Sequence, residues 1–171
     1  MVKLQTIVTH LAMEAPLPGP STSPDWPSDI RFTHEPDFSL AAYRDLYDRV
    51  GRAWHWVNRR HLSDSHLGAV VHHPATEIYV LRRDMAAIGF VEVNYKLFPQ
   101  VEIVFVGLVE GEIGGGLGRK MVDSVLNDIK ARHARRIIIQ TCTLDHPSAL
   151  RLYQKVGFRA HNRKQVEIID N

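Results

Sequence analysis

The chain has 171 residues, 44% of them hydrophobic and 23% charged, with a formal net charge of +2. That length can bury a core without disulfides or structural metal, and the balance is that of an ordinary globular protein rather than a disordered or membrane one. A lone cysteine rules out an internal disulfide, no apolar run nears the ~20 residues of a membrane helix, and like charges come only in pairs such as Arg59-Arg60 and Arg135-Arg136.

These numbers set the first expectations: one domain over residues 1–171, in the cytoplasm, with no nucleic-acid or membrane partner. The start carries no continuous apolar run followed by a cleavage site, so no signal peptide is read. Ten histidines are present, but without an HExxH arrangement or cysteines at zinc spacing no metal is expected. Cys142 lies in the apolar stretch IIIQTCTL and reads as a buried structural thiol.

In chain order, residues 3–12 alternate as an extended strand, so 1–14 is taken as an extra N-terminal strand outside the main pattern. Its pairing across a homodimer is left open. Residues 15–27 gather Pro16, Pro18, Pro20, Pro24 and Pro27 among serines, a composition that resists helix and sheet and reads as a linker. Between Ser39 and Val50 the residues Leu40, Tyr43, Leu46, Tyr47 and Val50 recur at three- and four-residue steps, predicting a helix that ends at Gly51. A second helix starts at Ser63 as N-cap and stops before Pro74.

From Glu77 the period changes to two. EIYVLRRD, IGFVEVNYKL and VEIVFVGL, broken near Asp84 to Ala87 and at Pro99, predict an antiparallel three-strand meander. The stretch EGEIGGGLGRK leads into a helix whose Met121, Val122, Val125, Leu126 and Ile129 form one stripe. There follow the strand RIIIQTCTL, a helix from Pro147 to Lys155 with Gly157 at its C-terminal cap, and a strand near 159–168.

A glycine run opening a helix aims free N–H groups at whatever lies before it, which favours phosphate. Gly114, Gly115, Gly116, Leu117 and Gly118 would form such a cradle, with Arg119 and Lys120 adding positive charge. A flexible glycine loop that merely caps the helix is the plainer alternative. A Walker A loop needs GxxxxGK[ST] and a dinucleotide loop GxGxxG; neither is met.

IGGGLGR is similar to the coenzyme A loop of the GNAT acetyltransferases, R/Q-x-x-G-x-G/A, with Gly116 and Gly118 in its small positions. HPSALRLYQKVGF resembles that superfamily's N-x-x-A-x-x-L-Y-x-x-x-G-F through Ala149, Leu152, Tyr153, Gly157 and Phe158. Two positions depart: Ile113 stands where Arg or Gln is usual, and His146 where Asn would reach the pantetheine arm. The resemblance covers residues 77–168.

It implies an α/β fold with a mixed central sheet flanked by helices on both faces, antiparallel through the meander and parallel at its fourth and fifth strands. It further implies transfer of acetyl from acetyl-CoA to a primary amine of a small molecule or peptide, in a ternary complex without metal. A non-catalytic acyl-CoA sensor is the alternative. The EIVF stretch matches the glutamate of histone-acetylating members, making Glu102 the expected base, on one strand face with Val104 and Val106. An apolar setting would raise its pKa from ~4.3; a half-exposed surface glutamate is the competing reading. Tyr153 matches the family's acid, and a backbone N–H near Leu108 would hold the oxyanion, with Gly107 suited to a bulge. Trp54, His55, Trp56 and Arg59 could line an acceptor pocket, the aromatics as walls and Arg59 for a carboxylate.

Overall fold

A computed structural model describes residues 2–18 and 22–170. Among these residues there are seven strands: β1 (Val2–Glu14), β2 (Ile30–His34), β3 (Thr76–Arg83), β4 (Ala86–Asn94), β5 (Gln100–Leu108), β6 (Arg136–Cys142) and β7 (Arg159–Asp170). The helical stretches become α1 (Leu40–Gly51), α2 (Asp64–Val71), α3 (Leu117–Ala131) and α4 (Ala149–Lys155). Ser39 and Ser63 cap α1 and α2 by accepting the N–H groups of Ala42 and His66, each satisfying one donor that a helix start leaves over.

The strands form one sheet in the order β2-β3-β4-β5-β6-β1-β7. Every neighbouring pair is antiparallel except β5 and β6, which are parallel. Helices cover both faces. On one, α3 and α4 bring Met121, Val122, Val125, Ile129 and Tyr153 against Val91, Val93, Val101 and Ile103. On the other, α1 and α2 bring Tyr43, Leu46, Tyr47, Val50, Leu67 and Val71 against Ile78, Val80 and Phe90. Each such aliphatic or aromatic side chain taken from water contributes roughly 1.5–3 kcal/mol. No helix among the described residues is long and apolar enough to cross a membrane.

Three sequence expectations change. The N-terminal strand is not outside the pattern: β1 lies inside the sheet, with Val8 to Ala12 paired to β6 on one edge and to β7 on the other. Along that stretch it has no free edge to offer a second copy; the edge strand on that side of the sheet is β7. An additional strand, β2, extends the meander by pairing Ile30–His34 with Tyr79–Arg83. Helix α4 begins at Ala149 rather than Pro147, because His146 Nδ1 accepts the Ser148 N–H and turns the chain before the helix starts. The described part of the linker, 15–18 and 22–27, contains neither helix nor strand.

The parallel pairing of β5 with β6 runs only from Gln100 and Arg136 to Ile103 and Ile139. At that point β5 carries an extra residue: Val93 faces Ile103, but Glu92 faces Phe105, leaving Val104 as a bulge. A bulge bends the strand that carries it. Beyond Ile103, β5 therefore leaves β6, while β6 stays paired with β1 as far as Cys142.

Candidate active site

The gap left where β5 and β6 part is a cavity of about 670 Å³, within the range of small-molecule clefts. Its walls are Val104 to Leu108 of β5, Ile139 to Cys142 of β6, the start of α3, the inner side of α4 and the loop Trp54 to Asn58; Thr6, Val8, Val166 and Ile168 of β1 and β7 close one end. Consecutive strand residues send their N–H groups to opposite edges. The Val109 N–H bonds the Ile88 carbonyl of β4, so the N–H groups of Leu108 and Val106 face the gap.

On the α3 side, Gly114, Gly116, Gly118 and Arg119 line the cavity. Gly116 is the N-cap at φ 83° with no side-chain cap bond, and Gly114 lies at φ 95°, a region that costs an L residue roughly 1–2 kcal/mol. A Cβ added at Gly114 or Gly116 would meet no atom within 4 Å. These glycines thus keep open space in front of the helix N-terminus rather than relieving a clash. Ile113 also faces the cavity, with Arg151 and Lys155 of α4 as further cations there.

On the α4 side, Tyr153 is buried in the core yet lines the cavity. Burial, and then the charge of Asp145, push its phenol pKa well above the ordinary value, so it stays protonated at neutral pH. Asp145 was not anticipated. Its Oδ1 accepts the Trp56 indole N–H at 3.0 Å, and its Oδ2 accepts the Thr141 hydroxyl and Cys142 N–H at 2.8 Å each. One carboxylate thereby fixes the aromatic loop to the end of β6. The only local signal is its place in the turn between strand and Pro147.

Trp54 and Trp56 line the cavity as expected, and Trp54 meets His146 edge-on at 5.2 Å between centroids. His146 lines it too, with Nδ1 engaged by Ser148. Arg59 does not: its Nη2 donates to Glu92 Oε1 at 2.7 Å, and its guanidinium lies 5.2 Å from the Phe105 ring centroid. Glu92 is 1% exposed and also accepts the Tyr43 hydroxyl. Arg59 neutralises a carboxylate of its own chain.

Glu102 also lies outside the cavity lining. It sits in the still-paired part of the β5–β6 ladder, opposite Ile138 and Asn94. The bulge at Val104 breaks strict alternation, so Glu102 shares its face with Phe105 and Gly107, not with Val106. Burial and then nearby Glu92 raise its pKa, with Arg59 acting the other way. Gly107 is not the bulge: a Cβ there would stand 2.2 Å from Val50 Cγ1 and 3.1 Å from Trp56, so glycine lets α1 and the tryptophan close onto the sheet. Of the remaining cradle residues, Leu117 turns into the core, Gly115 does not reach the cavity, and Lys120 Nζ donates to the Asp25 carbonyl of the linker. Cys142 is half-buried and borders the cavity, not a fully buried thiol.

A family model described as "Acetyltransferase (GNAT) family" matches residues 28–158. The chain belongs to the GNAT acetyltransferase family. Solved GNAT structures share its fold: a GCN5-related N-acetyltransferase from Sphaerobacter thermophilus aligns with a TM-score of 0.71 at 17% identity, over 95% of this chain and 50% of that one. A putative GNAT acetyltransferase from Novosphingobium aromaticivorans gives 0.66 at 16%, over 96% and 63%. An IAA acetyltransferase from Bacillus cereus gives 0.58 at 19%, over 78% and 79%. This GNAT chain therefore spans only half to under two thirds of the first two. A comparison with curated proteins found no match.

Proposed function

We propose that this GNAT domain transfers acetyl from acetyl-CoA to a primary amine within the β5–β6 cleft. The observation that carries the reading is the convergence on one cavity of three donors: the open N-terminus of α3, the inward N–H groups of β5 and the protonated phenol of Tyr153. The residues present fit the co-substrate. The glycine-walled start of α3 with Arg119, and Arg151 and Lys155 of α4, suit a diphosphate and phosphate. The unpaired edge of β5 suits the amide-bearing pantetheine arm, which can bond to it as a strand would, with His146 beside it.

In this reading the Leu108 N–H receives the developing oxyanion and Tyr153 gives a proton to the leaving sulfur. Trp54, Trp56, Val8, Val166 and Ile168 form an apolar wall, which favours an amine carried on an apolar body. Arg59 has no role as a carboxylate binder, being committed to Glu92.

The test is calorimetric titration with acetyl-CoA, then free-thiol release with primary amines from phenethylamine to a tripeptide with a free N-terminus. Binding plus amine-dependent release is expected. The apolar Ile113 at the cleft, where the family carries Arg or Gln, favours a second reading as a non-catalytic acyl-CoA sensor; binding without release from any amine selects it. Absence of binding ends both.

A further inference from the structure

Amine acetylation needs a group that takes a proton from nitrogen, and most titratable side chains around the cleft are engaged or wrongly charged. Both oxygens of Asp145 are occupied by Trp56, Thr141 and the Cys142 N–H. His146 Nδ1 accepts the Ser148 N–H at 3.1 Å, so a neutral His146 ring carries its hydrogen on Nε2 and donates there. Arg119, Arg151 and Lys155 are cations, and Glu102 lies outside the lining.

His55 is different. It lines the cavity from the loop after α1, and its backbone is held at φ 56° and ψ 38°, a left-handed conformation that is sparsely populated for a residue with a Cβ and that clusters at functional sites. Its Nδ1 is 2.6 Å from Asp170 Oδ2 at the end of β7, and Asp170 Oδ1 accepts Arg60 Nη1 at 3.0 Å. The hydrogen bond from His55, with Arg60 beside it, holds the Asp170 pKa below the usual carboxylate range. An ionised Asp170 can only accept, so Nδ1 carries the hydrogen, and in the neutral form of the ring the lone pair is then on Nε2. Arg52 and Asp48 are the other charges around this cluster.

We propose that His55, oriented by Asp170, is the proton acceptor for the amine; the assignment rests on the acetyl-transfer reading above. As the amine nitrogen forms its bond to the thioester carbonyl carbon, its proton passes to His55 Nε2. The carbon–sulfur bond then breaks with its electron pair on sulfur, which takes the Tyr153 proton, and solvent returns the proton from imidazolium to tyrosinate. Asp170 is a positioning residue: as in catalytic triads, it fixes the tautomer.

The experiment uses the full chain and thiol release with the best amine of the panel above. His55→Gly suits the left-handed backbone and opens a slot for free imidazole. Its expected kcat is lower by about a hundredfold, in the range of general-base contributions, with acetyl-CoA affinity unchanged and at least about tenfold recovered by added imidazole. Asp170→Asn can still hydrogen-bond, but by donating to Nδ1 it places the hydrogen on Nε2; kcat is expected to fall at least about tenfold with binding intact. Full activity of either variant overturns the proposal, as does a loss in His55→Gly that imidazole does not restore. Wild-type protein that binds acetyl-CoA but releases no thiol sinks the transfer reading and this inference together, whereas an active wild type with an equally active His55→Gly sinks this inference alone.

Discussion

Replacing Arg59 by Met isolates the buried ion pair behind the cleft. Glu92 is 1% exposed, and its carboxylate is held by Arg59 Nη2 at 2.7 Å and by the Tyr43 hydroxyl. Met keeps most of the Arg stem but leaves that carboxylate one hydrogen bond and no counter-charge. Removing one partner of a buried pair costs about 3–5 kcal/mol. The Arg59 Nε is itself enclosed without a partner, and its removal offsets part of that, so about 3 kcal/mol is expected. The double variant Arg59→Met with Glu92→Gln removes the charge, keeps an acceptor for Tyr43 and should recover at least half of the loss. Urea unfolding at pH 7, with slopes equal to wild type, gives the numbers; a 3 kcal/mol loss corresponds to roughly 6–12 °C in Tm for a chain of this size. A single variant within 1 kcal/mol of wild type, or a double variant no more stable than the single, refutes the reasoning. If Arg59 instead served an acceptor carboxylate, its loss would spare stability and raise KM for acidic amines.

Tyr153→Phe keeps the packing and removes the proton donor, so kcat should drop at least about tenfold while calorimetry returns the wild-type acetyl-CoA affinity; unchanged turnover removes Tyr153 from the mechanism. Gly116→Ala at φ 83° should cost about 1–2 kcal/mol of stability and, by placing a methyl in the cradle, weaken acetyl-CoA binding about tenfold; equal affinity would mean that the cofactor diphosphate lies elsewhere. Burial raises all five tyrosines above the usual 10.0, Tyr47 and Tyr95 to about 12 and Tyr43, Tyr79 and Tyr153 further. The folded state then retains protons that the unfolded chain releases above pH 10, so stability is untouched below that pH and falls above it, by about 1.4 kcal/mol per pH unit for each tyrosine still protonated. Phenolate absorbance should rise only together with loss of circular dichroism; gradual ionisation around pH 10 in a folded protein would contradict the burial.

What the sequence made legible was local. Ser63 as a cap, the apolar stripe of α3 and the glycine run at its start depend on neighbours a few residues away, and they fall where the spacing places them. The strand IRFTH has the same kind of signal, Ile30 and Phe32 alternating with Arg31 and Thr33, but at five residues it is as short as the linker beside it is irregular. Interior placement of β1 is of another kind: Thr9 meets Thr141 on one side and Arg163 on the other, partners over 130 residues away that no period in the N-terminal segment specifies. The pairs Arg59–Glu92 and His55–Asp170, 33 and 115 residues apart, likewise join segments that no local period relates.

The bulge at Val104 shows why the strand face of Glu102 in particular is not legible in the sequence. In EIVFVGL every residue after the glutamate is apolar or glycine, so the string looks the same whether alternation runs unbroken or skips one residue. The apolar pattern cannot locate the extra residue, and glycine, the residue most tolerant of a bulge, draws the expectation to Gly107. Gly107 is small for a different reason, the 2.2 Å that a Cβ would leave to Val50. Moving the bulge from Gly107 to Val104 has two effects at once. It ends the parallel ladder at Ile103, which opens the cleft, and it leaves Glu102 below that opening, in the paired part of the sheet. The same extra residue that opens the cleft thus leaves Glu102 outside its lining while His55 lies within it, and that placement is what favours His55 as the proposed proton acceptor.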